Sequence, residues 1–262
     1  MSEDAREGST LAEGRSEAAG NGALWWRADK EQADRQAAWV RELLRLKEGQ
    51  RVLEVGCGPG SLAFALARAG LEVTCLDPSS AVLEGAEAAA REAGLDDRVR
   101  LVRGTLGGVS FEGEFDGALA MRDCLGVLED ELQLVVALQS LARALKEKAR
   151  LIIECTNPSF VRERLRANDG VLSSEAWDEE ASRRIRRRVG LEDGGRRLVV
   201  HTVLEAPEGT KETEMSLRLI EPGEMVRLLQ AAGLEVLRIL GGLPEVEYTR
   251  GAPKMVMVCR RR

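Results

Sequence analysis

An acid and three glycines in the stretch RVLEVGCGPG could form a ligand-binding turn. Glu54 ends an apolar run, and Gly56, Gly58 and Gly60 follow it at alternate positions. Glycines at the end of a strand let the backbone approach a bound molecule closely, and a helix that begins there leaves N–H groups free. The spacing fits neither a phosphate-binding loop, which needs Gly-Lys-Ser/Thr, nor the GxGxxG turn of dinucleotide sites.

The charges near this turn favour a ligand with a cationic appendage. Glu54 would repel a pyrophosphate and attract a cation, and Pro59 removes an N–H group that a pyrophosphate would use. Asp77 ends the next apolar run, VTCLDPS, at the distance where a carboxylate accepts hydrogen bonds from ribose hydroxyls. An adenosine with a positive appendage fits all three features.

These residues need a parallel sheet to bring them together. Five short apolar runs alternate with helical segments as far as position 157, and they read RVLEVG, EVTCLD, VRLVRGT, FDGALAM and ARLIIECT. This alternation predicts parallel strands joined by crossover helices, with the strand ends at one edge. Period-2 runs on both sides of Asp193-Gly194-Gly195 then predict an antiparallel insertion of about 60 residues. A helix, EPGEMVRLLQAAG, and two strands follow.

The glycine turn together with Asp77 carries a family resemblance. VLEVGCGPG with VTCLDPS resembles the nucleoside-binding half of class I S-adenosylmethionine-dependent methyltransferases, over residues 50–157. The resemblance implies S-adenosylmethionine as the cofactor. It also implies that the turn passes under the methionine part, that Glu54 meets the amino group and that Asp77 binds both ribose hydroxyls.

The resemblance implies further contacts around the same pocket. Thr105 stands where the family often has an aspartate facing the adenine amine, so that contact is expected to be weaker or to come from the backbone. Leu106 is expected to pack on adenine, and Met121 to line the pocket near the sulfonium. Cys57 and Pro78 complete the expected cofactor-binding set.

The fold implied is α/β, with a seven-stranded, mostly parallel Rossmann-like sheet, helices on both faces and an antiparallel β insertion after strand five. Residues 1–22 are predicted to be a disordered tail, and 23–157 the cofactor-binding core with an N-terminal helix. Residues 158–220 are predicted to form a lid over the substrate. Residues 221–262 are predicted to complete the core.

Arg122 and Asp123 are the candidate catalytic residues, because they follow strand four at the edge where the acceptor is expected. Relatives acting on small molecules often carry small polar residues here. Arg122 could hold a carboxylate or phosphate of the acceptor, and Asp123 could orient or deprotonate an amine. The alternative is that the two residues pair with each other or cap the following helix.

Four other residues are candidates for substrate contact. Trp25 and Trp26 precede the first helix and would close over the cofactor or acceptor, although plain core packing explains them equally well. Asn157 follows strand five and is expected at the pocket mouth. His201 lies within a strand of the insertion, where a structural role is the stronger interpretation.

Composition limits the remaining function classes. The chain of 262 residues is 44% apolar and 31% charged, which suits a globular protein without a membrane span or secretory signal, and a cytoplasmic location is expected. Five cysteines without a CxxC pair and a single histidine predict reduced thiols and no metal site. The net charge of −6 argues against general nucleic-acid binding.

We therefore expect a methyltransferase that acts on a small-molecule N or O acceptor by in-line displacement. Two alternatives stay open: an RNA or protein methyltransferase that uses the arginine-rich run 183–188, and a noncatalytic S-adenosylmethionine-binding protein. A nicotinamide-dependent oxidoreductase is disfavoured by the glycine spacing and Glu54. Neither a membrane nor a nucleic acid is expected as a partner, and a homodimer is left open.

Overall fold

The computed structural model describes residues 30–178 and 182–262, which form a main sheet with helices on both faces and a second, separate sheet. The elements of the first half are α1 (Lys30–Leu44), β1 (Arg51–Val55), α2 (Ser61–Arg68), β2 (Glu72–Asp77), α3 (Ser80–Glu92), β3 (Val99–Arg103), β4 (Phe115–Ala120), α4 (Glu131–Ala144) and β5 (Leu145–Thr156). Those of the second half are α5 (Pro158–Arg166), β6 (Leu172–Asp178), β7 (Arg183–Glu192), β8 (Arg197–Ala206), β9 (Gly209–Arg218), α6 (Pro222–Ala231), β10 (Leu234–Gly242), β11 (Val246–Glu247) and β12 (Lys254–Arg261).

The main sheet has eight strands, in the order β11-β10-β12-β5-β4-β1-β2-β3. The pairs among β3, β2, β1, β4 and β5 are parallel, whereas β12 is antiparallel to both β5 and β10. The expectation of seven strands was wrong by one, because the two-residue β11 pairs with the end of β10. The predicted parallel core is confirmed, but the sheet as a whole is mixed.

Both faces of the main sheet are buried, which explains the continuous apolar runs of its strands. Helices α1, α2 and α3 pack against the face that contains Val52 and Val73. Helices α4 and α6 pack against the other face, which contains Leu53 and Ile153. The carboxyl ends of β1, β2 and β4 therefore meet at one edge between two helix layers, and Glu54, Asp77 and the Arg122–Asp123 pair lie at this edge.

The second sheet, which we call the small sheet, contains β6, β7, β8 and β9 in sequential antiparallel order. Its β7–β8 connection is a 3₁₀ turn at Asp193–Gly195, at the predicted hairpin. Leu198 and Leu217 pack with Leu165 of α5 in a small apolar cluster. The amide of Arg218 donates to the carbonyl of Gly126 at 2.7 Å, so the small sheet is fixed to the loop after β4.

Some of the predicted features lie outside the described residues. The predicted tail at 1–22 and the tryptophans at 25 and 26 precede residue 30, where the description begins. None of the helices in the described part of the chain combines the length and apolar character needed to span a bilayer.

Candidate functional site

The glycine turn forms the floor of the site, between β1 and α2. Gly56, Gly58 and Gly60 all have positive φ angles, of 65°, 57° and 80°. A Cβ atom on Gly56 would lie 2.8 Å from Cβ of Cys124, so the turn passes directly against the segment after β4. A Cβ atom on Gly58 would meet nothing within 4 Å, so this part of the turn presents bare backbone to open space.

Asp77 joins the end of β2 to the same turn. Its side chain is buried, with Oδ1 accepting from the amide of Ser79 at 3.0 Å and Oδ2 accepting from the amide of Gly58 at 3.4 Å. The N-cap of α3 is Ser79 and not Asp77, because Oγ of Ser79 accepts from the amide of Val82. The carboxylate therefore lies beside the turn without being used as the helix cap.

Glu54 lies beneath the turn with no exposed surface. Burial raises its pKa to about 7, although the guanidinium of Arg122 and the backbone amide of Ala63 act to lower it. Within the described residues Oε2 has no hydrogen-bond partner. A buried carboxylate oxygen without a donor is costly, so the position fits a cationic N–H donor from a ligand.

Arg122 pairs with Glu54 and with the glycine turn. Its Nη2 atom lies 3.4 Å from Oε1 of Glu54 and donates to the carbonyl of Cys57 at 3.1 Å. Arg122 neither pairs with Asp123 nor caps the following helix. Its charged partner is Glu54 and not Asp123, and the N-cap of α4 is Asp130.

The carboxylate of Asp123 accepts three hydrogen bonds. It accepts from the amide of Thr156 at 2.5 Å, from Oγ1 of Thr156 at 2.8 Å and from Nζ of Lys254 at 3.1 Å. Burial acts to lower the pKa of Lys254, but the carboxylates of Asp123 and Glu154 outweigh it and raise that pKa. Removing a proton from an acceptor would require Asp123 to give up part of this network.

Lys254 and Thr156 were not among the predicted site residues. They face each other across the β12–β5 pairing, and both support the segment that carries Asp123. The signal that could have indicated them is the closing strand KMVMVCR. Placing that strand beside ARLIIECT brings a lysine to the end of β5.

Asn157 has a structural role. Its side chain is fully buried, and Nδ2 donates to the carbonyls of Thr249, Arg250 and Ala252. Its Oδ1 accepts from the amide of Ser159, so the residue also caps α5. These contacts engage both the amide nitrogen and the amide oxygen of Asn157 within the protein.

His201 lies on β8 of the small sheet, opposite Glu214 of β9. Its side chain is about half exposed, with Nδ1 at 3.2 Å from Oε2 of Glu214. Side chains alternate along a strand, so His201 is on the face of β8 opposite Leu198, and Leu198 is the residue that packs against α5. The charged partner of His201 is therefore Glu214 of the neighbouring strand, and not another candidate residue.

The remaining predicted cofactor residues lie in the turn itself or in the segments that follow β2, β3 and β4. Leu106 lies shortly after the end of β3 and Met121 directly after the end of β4; both are buried, as is Cys57 within the turn itself. Thr105 is exposed and its carbonyl accepts from the amide of Gly108. Pro78 follows Asp77, and its carbonyl accepts from Arg103 at 3.4 Å.

Comparison with known proteins identifies the molecule. The family model described as "Methyltransferase domain" matches residues 52–148, from β1 into β5. The cypemycin N-terminal methyltransferase of Streptomyces sp is 26% identical over 86% of this chain and 88% of its own length. The chain is a class I S-adenosylmethionine-dependent methyltransferase.

Solved structures agree with this assignment at the level of the fold. The CcbJ methyltransferase from Streptomyces caelestis has a TM-score of 0.76 at 20% identity, over 87% of this methyltransferase and 89% of that chain. The amino pentose methyltransferase CalS10 from Micromonospora echinaspora, solved with S-adenosylmethionine bound, has a TM-score of 0.65 at 20% identity, over 92% and 96%.

S-adenosylmethionine is the cofactor of this methyltransferase. Two features of the structure fit its methionine end. The unpartnered Oε2 of Glu54 suits an ammonium group, and the bare backbone at Gly58 leaves room for a ligand to lie against the turn.

Proposed function

We propose that the methyltransferase transfers a methyl group to an amine nitrogen of a small molecule by in-line displacement, with a hydroxyl oxygen as the alternative acceptor. The main support for this proposal is that the hydrogen bonds of Asp123 leave it poorly suited to act as a base. Both oxygens of its carboxylate are engaged by Thr156 and Lys254, and His201 is half exposed and paired with Glu214 on the small sheet. An unprotonated amine needs no base to attack, whereas an alcohol has to lose a proton.

The cofactor site is proposed to use the predicted residues around the turn. S-adenosylmethionine supplies a methyl group already activated on a sulfonium, so the protein has to align donor and acceptor and exclude water. Glu54 is assigned to the amino group and Asp77 to the ribose hydroxyls. Leu106 is assigned to the adenine face and Met121 to the wall near the sulfur.

The small sheet and α5, residues 158–220, are proposed to cover the acceptor. The Arg218–Gly126 hydrogen bond supports this, because it fixes the end of β9 to the loop that begins at the acceptor edge. The names of two relatives, an N-terminal methyltransferase and an amino pentose methyltransferase, agree with an amine acceptor.

The arginine-rich run gives little support to an RNA or other polyanionic substrate. Arg184 forms an ion pair with Glu175 at 2.8 Å, and Arg186 pairs with Glu205 on the neighbouring strand. Positive charges that are already paired within the sheet attract a polyanion less strongly than free ones.

The test is a panel of matched acceptors in which each amine is paired with its hydroxyl counterpart, with release of S-adenosylhomocysteine as the signal. We expect turnover with amines and a rate that rises with pH as the free-base fraction of the amine increases. Comparable turnover of the hydroxyl partner would overturn the amine assignment. Tight binding of S-adenosylhomocysteine without turnover of any acceptor would instead indicate a noncatalytic binding protein.

A further inference from the structure

Arg122 reaches back from the end of β4 to the glycine turn. It contacts both the carboxylate of Glu54 and the carbonyl of Cys57 through the same nitrogen. The side chain of Glu54 is 1% exposed and that of Arg122 is 24% exposed. The structure therefore places a cation over a buried carboxylate, at a position that still borders solvent.

The backbone holds Arg122 in an unusual conformation. Arg122 and Asp123 have φ angles of 55° and 60°, in the left-handed region that residues with long side chains rarely adopt. The hydrogen bonds from Thr156 and Lys254 to Asp123 stabilise this conformation. Backbone strain of this kind is concentrated at ligand sites. The orientation of the Arg122 side chain toward the glycine turn therefore calls for a functional explanation.

The acceptors used by Arg122 are also those that a ligand ammonium needs. The methionine end of S-adenosylmethionine carries an ammonium and a carboxylate on one carbon atom. Since the guanidinium of Arg122 already lies beside Glu54, an ammonium alone would bring a second positive charge next to that guanidinium. An ammonium accompanied by a carboxylate adds no net charge, and the planar fork of a guanidinium matches a carboxylate well.

We propose that Arg122 makes the amino-acid end of the cofactor site selective for a zwitterion. It binds the carboxylate of the ligand, while Glu54 and the carbonyl of Cys57 receive the ammonium. This inference rests on the proposed cofactor site. It assigns Arg122 to the methyl donor instead of to a carboxylate or phosphate of the acceptor, and it excludes adenosyl ligands that carry an amine alone.

Calorimetry with three probes tests this role without requiring turnover. S-adenosylhomocysteine carries both charges, S-adenosyl-3-thiopropylamine carries only the ammonium, and 5′-methylthioadenosine carries neither. We expect the wild type to prefer the first probe to the second by at least tenfold, and Arg122→Met to reduce this preference by about tenfold, or about 1.4 kcal/mol. The affinity for 5′-methylthioadenosine should stay unchanged.

Two further variants serve as comparisons. Arg122→Lys keeps the charge and should retain most of the preference. Arg68→Met removes an arginine that pairs with Asp34 at 2.6 Å on the outside of α2, and it should leave the preference at the wild-type value. Thermal unfolding checks that each variant is folded, and Arg122→Gln replaces Arg122→Met if the latter does not fold.

Equal weakening of both charged probes by Arg122→Met would overturn the proposal, because Arg122 would then only shape the segment after β4. A wild type that binds the two charged probes equally well would overturn it too. If the wild type binds 5′-methylthioadenosine and binds the two charged probes with equal affinity, the nucleoside site is supported and only the proposed role of Arg122 fails. If it binds none of the three, the proposed cofactor site fails as well.

Discussion

Replacing Glu54 by glutamine should change how the stability of the methyltransferase depends on pH. Glu54 is fully buried, and burial raises its pKa from 4.5 to about 7 in spite of Arg122. Between these two pH values the unfolded chain has released the proton of this carboxyl group and the folded chain still holds it. The folded state therefore becomes less stable as the pH rises through this window.

The size of the effect follows from the two pKa values. A pKa difference is worth about 1.4 kcal/mol per unit, so the contribution of Glu54 to the free energy of unfolding should fall by about 3 kcal/mol between pH 4.5 and 7. It should be constant below and above this range. The glutamine variant lacks this titration, and its unpaired Arg122 adds only an offset because arginine stays charged throughout.

Urea unfolding of both proteins at several pH values from 4.5 to 8 measures the difference directly. Asp116→Asn is a matched control. Burial acts to raise the pKa of Asp116, but hydrogen bonds from Lys146 and the amide of Arg51 lower it below its ordinary value of 3.8. Its titration therefore lies below the window, and the difference between this variant and the wild type should stay constant.

A wild-type-minus-variant difference for Glu54→Gln that stays flat, or that rises with pH, would refute the reasoning. Ligand binding gives a second check on the same group. An ammonium near Glu54 favours its ionised form, so S-adenosylhomocysteine should release a proton on binding at about pH 6.5 to the wild type but not to the variant. The calorimetric heat would then depend on the ionisation enthalpy of the buffer.

Three other substitutions have expected outcomes. Asp77→Ala should weaken S-adenosylhomocysteine binding by about 1.5–3 kcal/mol, as for the loss of a charged hydrogen-bond acceptor, and calorimetry that shows no loss would exclude the ribose assignment. Asn157→Ala removes the amide group that donates to the carbonyls of Thr249, Arg250 and Ala252 and should lower the free energy of unfolding in urea by about 1–3 kcal/mol, whereas an unchanged midpoint would show that these carbonyls find other partners. Arg186→Ala should leave the salt dependence of turnover unaltered, and a flatter salt dependence would point to an anionic substrate on β7.

The parallel core of the fold could be predicted because its signals are local. Buried parallel strands appear in the sequence as continuous apolar runs, and the helices between them appear as amphipathic segments. The eighth strand could not be predicted in this way. Val246 and Glu247 form a strand of two residues, which is too short to show any periodicity.

The site was only partly predictable for a similar reason. Glu54 and the glycines are neighbours in the sequence, so their chemistry can be inferred from a short stretch. The partner of Glu54 is 68 positions away, and the lysine that supports Asp123 is 131 positions away. Those contacts depend on strand order and on two left-handed backbone residues, neither of which a local pattern specifies.

The position of β12 has a consequence for the order in which the molecule is assembled during synthesis. β12 lies between β5 and β10, so one edge of β5 stays unpaired until the ribosome has produced the insertion, α6 and β10. Lys254 is the first residue of β12, and it is also a donor to Asp123. A nascent chain can therefore bury most of its core early, but it completes the support of its cofactor pocket only when β12 emerges.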